Sequence, residues 1–313
     1  MTGIGPVPGV HRLSHTAMAT VFEVHCVHPD ARYAGQAAQA AFAAVDRLEQ
    51  ELSRFIANSD IGRINALAAG QSTRVGPSTM ECLVIARWLY EVTGRAFDIA
   101  IGSGLDSLEL DPDAFAVRIG KGGVQLDLGG IGKGYAVDRM AETLEEWDVP
   151  RALVHGGFSS VLALEPPPDR EGWPLTLSAP GPGPREVLAR LSVRQRAFSA
   201  SGTQKGAHIV DPQTGHPVEG GAAWVAVARP VERDEDAEWP DPARSPAAVA
   251  EGLSTAFMIL PDGDVESLCR QWPGLEAWLL RDPGQGAGAA VLVHVAARAG
   301  ESNGSRRAAR KKE

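Results

Sequence analysis

The stretch "DLGGIGKGYAVD", residues 127–138, decides how this chain is read. Four glycines, at 129, 130, 132 and 134, fall within six residues, with Lys133 among them. The preceding "VQLDL" (124–128) alternates, Val124, Leu126 and Leu128 against Gln125 and Asp127, which predicts a strand. Beyond the glycines, Ala136, Val137, Met140, Ala141 and Leu144 recur at helical spacing. The segment therefore reads as strand, tight glycine turn and helix. Two phosphate-binding motifs share that context, and both fail on spacing. A P-loop needs glycine five residues before Gly132 and Ser or Thr after Lys133, but Asp127 and Gly134 stand there. A dinucleotide fingerprint needs its third glycine further along than Gly134. Two readings remain: the glycines only permit a sharp turn, or the backbone approaches a ligand whose negative charge Lys133 and a helix N-terminus favour. Asp127 would face that same ligand.

Working outward, "TVFEVHCV" (20–27) reads as a strand and residues 33–55 as a helix with Ala38, Ala41, Phe42, Val45, Leu48 and Leu52 on one face. Residues 78–94 form a second helix, begun after Pro77 and ended at Gly94. "RALVHGG" and "SSVLALE" (151–165) are strands around a glycine turn, and residues 207–218 carry a strand that ends in an Asp-Pro turn. Ser245 and Pro246 open a helix with Val249, Leu253, Ala256 and Phe257 on its apolar face. "EAWLLR" and "AAVLVHVAA" supply the last strands. Steady strand–helix alternation is missing, so the expected class is α+β in two layers or two subdomains.

The chain has 313 residues, 44% hydrophobic, with net charge −9. An acidic chain excludes a broad nucleic-acid surface. Cys26, Cys82 and Cys269 are far apart and read as free thiols of a reducing compartment. "MTGIGPVPGVHRLSH" has neither a basic start nor a long apolar run, and no stretch elsewhere is long enough to span a bilayer, so the expectation is a cytoplasmic protein without a membrane anchor. Residues 1–14 are expected to precede a domain over 15–295. Residues 228–246 read as an exposed acidic loop and 296–313 as a disordered basic tail.

The opening stretch resembles the central motif of the ApbE-type FAD:protein FMN transferases. Five further stretches resemble that family's motifs in the same order: "MATVFEV" (18–24), "ELSRFIANSDIGRIN" (51–65), "TGRAFDIAIG" (93–102), "SASGTQKGAHIVDPQTGHPV" (199–218) and "AVAEGLSTAFMIL" (248–260). The resemblance implies an α+β fold of two subdomains with FAD and Mg²⁺ between them. It implies transfer of FMN from FAD to a Ser or Thr hydroxyl of an acceptor flavoprotein bearing a flavinylation motif, with release of AMP. For FAD it points to Met18, Phe55, Ala96, Phe97, Asp98, Asp127 and Lys133, and to His208 as both a cofactor contact and the catalytic proton acceptor. For the metal it points to Glu251, Thr255 and the Gly130 carbonyl, with Ser254 as a further candidate.

Spacing adds one independent point. Glu251, Ser254 and Thr255 lie at i, i+3 and i+4, so a helix carries their oxygens on one face. Alone, that pattern reads as a solvated face; beside the other motifs it reads as a site for Mg²⁺, which prefers oxygen ligands. The chain departs from the family in having Glu at 251, where Asp is usual, and "LVHGGFSSV", where Asn-Ala-Gly-Gly-Asp is usual. The same residues would serve two alternatives: an FAD pyrophosphatase giving FMN and AMP, and an FAD-binding protein without catalysis.

Overall fold

The computed structural model describes residues 9–100, 104–179, 186–203, 209–218, 220–230, 241–281 and 291–296. His208, residues 231–240 of the acidic loop and residues 297–313 of the basic tail lie outside them. Strands β1 (His11–Ala17) and β2 (Thr20–Cys26) form a hairpin closed by Met18 and Ala19, whose φ angles are 48° and 54°. Two left-handed residues are what a tight hairpin turn demands. This strand starts four residues before the expected domain boundary at 15.

Helix α1 (Ala31–Leu52) is capped by Asp30, whose carboxylate accepts from the Arg32 and Tyr33 N–H groups. Its buried stripe contains Ala38, Ala41, Phe42, Val45, Leu48 and Leu52, as the spacing predicts. After α2 (Asp60–Asn65) and β3 (Ser72–Arg74), helix α3 (Pro77–Val92) ends at Thr93 and Gly94, the latter with φ +57°. Strands β4 (Leu108–Asp111) and β5 (Ala116–Ile119) join β3 in a small antiparallel sheet.

Residues 124–128 depart from expectation. Val124, Leu126 and Leu128 are buried as the alternation requires, yet the segment is no strand. Its backbone is satisfied mainly otherwise: the Asn65 side chain accepts from Leu126 N at 2.7 Å and donates to Leu126 O at 3.0 Å. Among the described residues, one isolated bridge, Ala100 to Leu126, is all the ladder it makes. Helix α4 (Gly132–Glu146) follows at once.

The main sheet takes β6 (Ala152–Gly156), β7 (Ser160–Ala163), β10 (Arg196–Gly202), β11 (Ala222–Ala228), β12 (Leu275–Arg281) and β13 (Val291–Ala296). Its order is β1-β2-β6-β7-β10-β11-β12-β13, and every neighbouring pair is antiparallel. Helices α1, α4 and α5 (Pro246–Ala256) pack on one face. The hairpin of β8 (Trp173–Ser178) and β9 (Val187–Val193) covers the other through a second cluster around Trp173, Leu175, Phe198 and Trp224. Cover on both faces explains why all of β6 is buried and why it shows no apolar–polar alternation. Helix α6 (Asp262–Gln271) leads into β12.

Helix α5 begins as expected at Ser245 and Pro246, but Ser245 makes no side-chain cap. The capping group is Asp138 of α4, whose two carboxylate oxygens accept from Ala247 N at 3.0 Å and Ala248 N at 2.9 Å. The Ser245 hydroxyl instead accepts from Arg139 at 3.2 Å. Thus α4 fixes the start of α5.

Candidate functional site

The four glycines of the opening stretch divide by what lies against them. None has a positive φ, so the turn does not require glycine for its backbone angles. A methyl group at Gly134 would meet the Ala247 carbonyl oxygen at 2.2 Å and Ala248 Cα at 2.8 Å. Gly134 is therefore small because α5 crosses α4 there. A methyl at Gly130 would lie 3.2 Å from the Phe97 ring and 3.7 Å from Thr255 Oγ1. Gly130 brings the turn close to α5 at its Thr255 end.

This crossing forms one wall of a cavity of about 1090 Å³. The segment after α3 contributes Ala96, Phe97 and Asp98, the glycine turn and first turn of α4 contribute Asp127, Gly130 and Lys133, and α5 contributes Glu251 and Thr255. Eight of the expected site residues thus come from three distant parts of the chain to one cavity. Glu251 is only 4% exposed, so its helix face is not solvated. One Glu251 oxygen accepts from Gly134 N at 2.6 Å, and the other pairs with the Lys133 ammonium. Lys133 Nζ also donates to Gly129 O at 3.0 Å. Ser201 of β10 places its hydroxyl 3.2 Å from Thr255 Oγ1 and 2.8 Å from Ser254 Oγ.

Burial raises the pKa of Asp98, opposed by the N–H of Ala100, which donates to the carboxylate at 2.7 Å. Asp127 is paired with Arg54 at 3.4 Å. Burial also pushes Cys26 up to about 11 and Cys269 to about 12, and raises Cys82. All three thiols are free and buried, as the sequence suggested, and none is a ready nucleophile.

Met18, Phe55 and Ser254 stand apart from the cavity lining. Met18 lies in the β1–β2 turn, its N–H donating to Glu49 at 2.9 Å. Phe55 is 84% exposed with the Arg54 guanidinium over its ring, and Arg54 connects it to the cavity through Asp127. Ser254 is fully buried and donates to the Glu251 carbonyl at 2.9 Å. Sequence reading missed Arg95, which lines the cavity with φ 74° and pairs with Asp106 at 2.9 Å. It also missed Phe158, an exposed ring of the β6–β7 turn, and Ser201. Ser201 and Arg95 both lie within quoted motifs and could have been found; only the left-handed backbone of Arg95 had no sequence signal.

A family model for ApbE matches residues 18–114 and 103–279. The chain belongs to the ApbE family. The FAD:protein FMN transferase of Salmonella typhimurium strain LT2 is 23% identical over 322 residues, covering 89% of this chain and 86% of that protein. The FAD:protein FMN transferase of Treponema pallidum strain Nichols is 27% identical over 286 residues, covering 75% and 74%. The apo crystal structure of Pseudomonas stutzeri flavinyl transferase ApbE superposes with TM-score 0.73 at 24% identity over 91% of this chain and 94% of that one. The flavin transferase ApbE of Vibrio cholerae gives 0.75 at 16% identity over 92% and 97%. The α+β fold is the ApbE fold. Among the described residues no helix is long and apolar enough to cross a membrane.

Proposed function

We propose that this ApbE chain transfers FMN from FAD to a Ser or Thr hydroxyl of an acceptor flavoprotein, releasing AMP, with Mg²⁺ held between α5 and the 127–134 turn. One observation carries the reading: on the wall of a large cavity, α5 sets Thr255 beside Gly130 and the Glu251 carboxylate against the Gly134 N–H of the same glycine run. Among the described residues no three His, Cys, Asp or Glu side chains cluster as metal ligands. The donors here are one buried carboxylate, one hydroxyl and backbone oxygen. That hard set suits Mg²⁺, which keeps several waters and shares substrate phosphate oxygens. When bound, the ion would neutralise charge on the pyrophosphate.

The chain's own residues do the rest. Lys133 offers an ammonium to the pyrophosphate from the first turn of α4. Asp98 and Asp127 accept hydrogen bonds from the ligand, and Phe55, with Arg54 behind it, is a platform for one of its rings. The acceptor oxygen bonds to the FMN phosphorus, the bond to the AMP oxygen breaks, and His208 is assigned the hydroxyl proton. Incubation with FAD, Mg²⁺ and a tagged acceptor peptide tests the proposal. Covalent flavin on the peptide supports transfer. AMP without labelling makes the chain a pyrophosphatase, and tight FAD binding without turnover sinks both enzyme readings.

A further inference from the structure

The Lys133–Glu251 pair holds more than a contact between neighbours. Glu251 is buried, and both its oxygens are taken, one by Gly134 N–H and one by the Lys133 ammonium. The same ammonium donates to Gly129 O, one residue before the carbonyl expected to meet the metal. It therefore bridges the α5 carboxylate and the turn backbone, the two kinds of partner a divalent cation would bridge. Among the described residues Lys133 is the only cation within ion-pair distance of Glu251. A buried carboxylate without a counter-charge is strongly disfavoured. Two cations against one carboxylate oppose each other at such range.

We infer that Lys133 is the resident cation of this site: it neutralises Glu251 in the free enzyme and yields the carboxylate when a divalent ion enters. The inference rests on the metal reading above. The lysine has somewhere to go. Its side chain is 24% exposed, it lines the cavity, and its four-carbon stem is flexible. Released from Glu251, the ammonium is free for the pyrophosphate in the same cavity. Metal entry would thus arm the phosphate-binding lysine, and metal affinity without FAD would be held down by an internal competitor.

The test is Mn²⁺ binding to the full chain without nucleotide, read from the electron-paramagnetic signal of the free ion. Lys133→Met should bind Mn²⁺ more tightly than wild type, on the order of tenfold. Glu251→Gln should bind it more weakly. Unchanged or weaker binding by Lys133→Met, with Glu251→Gln still weakening, overturns the exchange and leaves the metal reading standing. Binding indifferent to Glu251→Gln overturns both. A second measurement needs no variant: Mg²⁺ should speed acylation of Lys133 in the wild-type chain several-fold relative to exposed Lys121, followed by peptide mass spectrometry. An unchanged ratio overturns the exchange as well.

Discussion

Gly134→Ala asks whether the crossing of α4 and α5 builds the site. The added methyl would sit 2.2 Å from the Ala247 carbonyl oxygen and 2.6 Å from its carbon. Both obstacles are backbone, so no side chain can rotate away. Reaching ordinary contact at about 3.4 Å needs a retreat of about 1.2 Å by the first turn of α5. Helix propensity favours alanine by about 1 kcal/mol. Overpacking against backbone costs about 3 kcal/mol, leaving a net loss of about 2 kcal/mol. The movement also separates Glu251 from Gly134 N–H and shifts Thr255 from Gly130. Misplacement by about 1 Å can cost about a hundredfold in rate. Urea unfolding reads the first effect and flavin transfer to an acceptor peptide the second. Gly35→Ala, in an α1 position where only Leu13 comes as near as 4.0 Å, should be neutral or stabilising. A Gly134→Ala protein as stable and active as wild type would refute the claim that this crossing sets the site.

Asp138→Ala leaves the Ala247 and Ala248 N–H groups buried without acceptors and should cost about 3 kcal/mol in chemical denaturation. Arg95→Gly relieves a left-handed arginine, worth about 1.5 kcal/mol, and loses an exposed ion pair and a cation–π contact with Tyr90 worth about 0.5 each, so the melting temperature should rise slightly. Burial, with His25 beside it, pushes the His155 pKa from 6.5 down to about 4. The unfolded chain then takes up the proton first, so stability is full above pH 6.5 and falls by about 3 kcal/mol as pH drops to 4. His155→Leu should flatten that fall in urea midpoints measured across the range.

Helices α1, α3, α4 and α5 were legible because their apolar periods match the faces they bury, as in α1 from Ala38 to Leu52, and so were strands β2, β6, β7, β12 and β13. Elements β1, β3, β4, β5, β9, β10, β11, α2 and α6 were not read, and the strand expected within 207–218 makes only an isolated Val210–Pro217 bridge among the described residues. The 124–128 segment misled because alternation reports burial, while strand identity depends on a backbone partner. That partner was the side chain of Asn65, far away in sequence. The glycine run was legible as unusual but not as divided: only the position of α5 separates Gly134, which packs, from Gly130, which faces the site. Asp138 closes the opening stretch, yet its capping role depends on Ala247 and Ala248, more than a hundred residues on. Family motifs carried the site residues; the Lys133–Glu251 pair and the left-handed Arg95 needed coordinates.

The most direct test of the account is the mass of an acceptor peptide after incubation with FAD and Mg²⁺, comparing wild type with Thr255→Val and Glu251→Gln variants confirmed to be folded. Wild type should add one FMN, less water, to a single Ser or Thr. Both variants should still bind FAD but label at least about a hundredfold more slowly. Labelling by either variant at the wild-type rate would contradict the account.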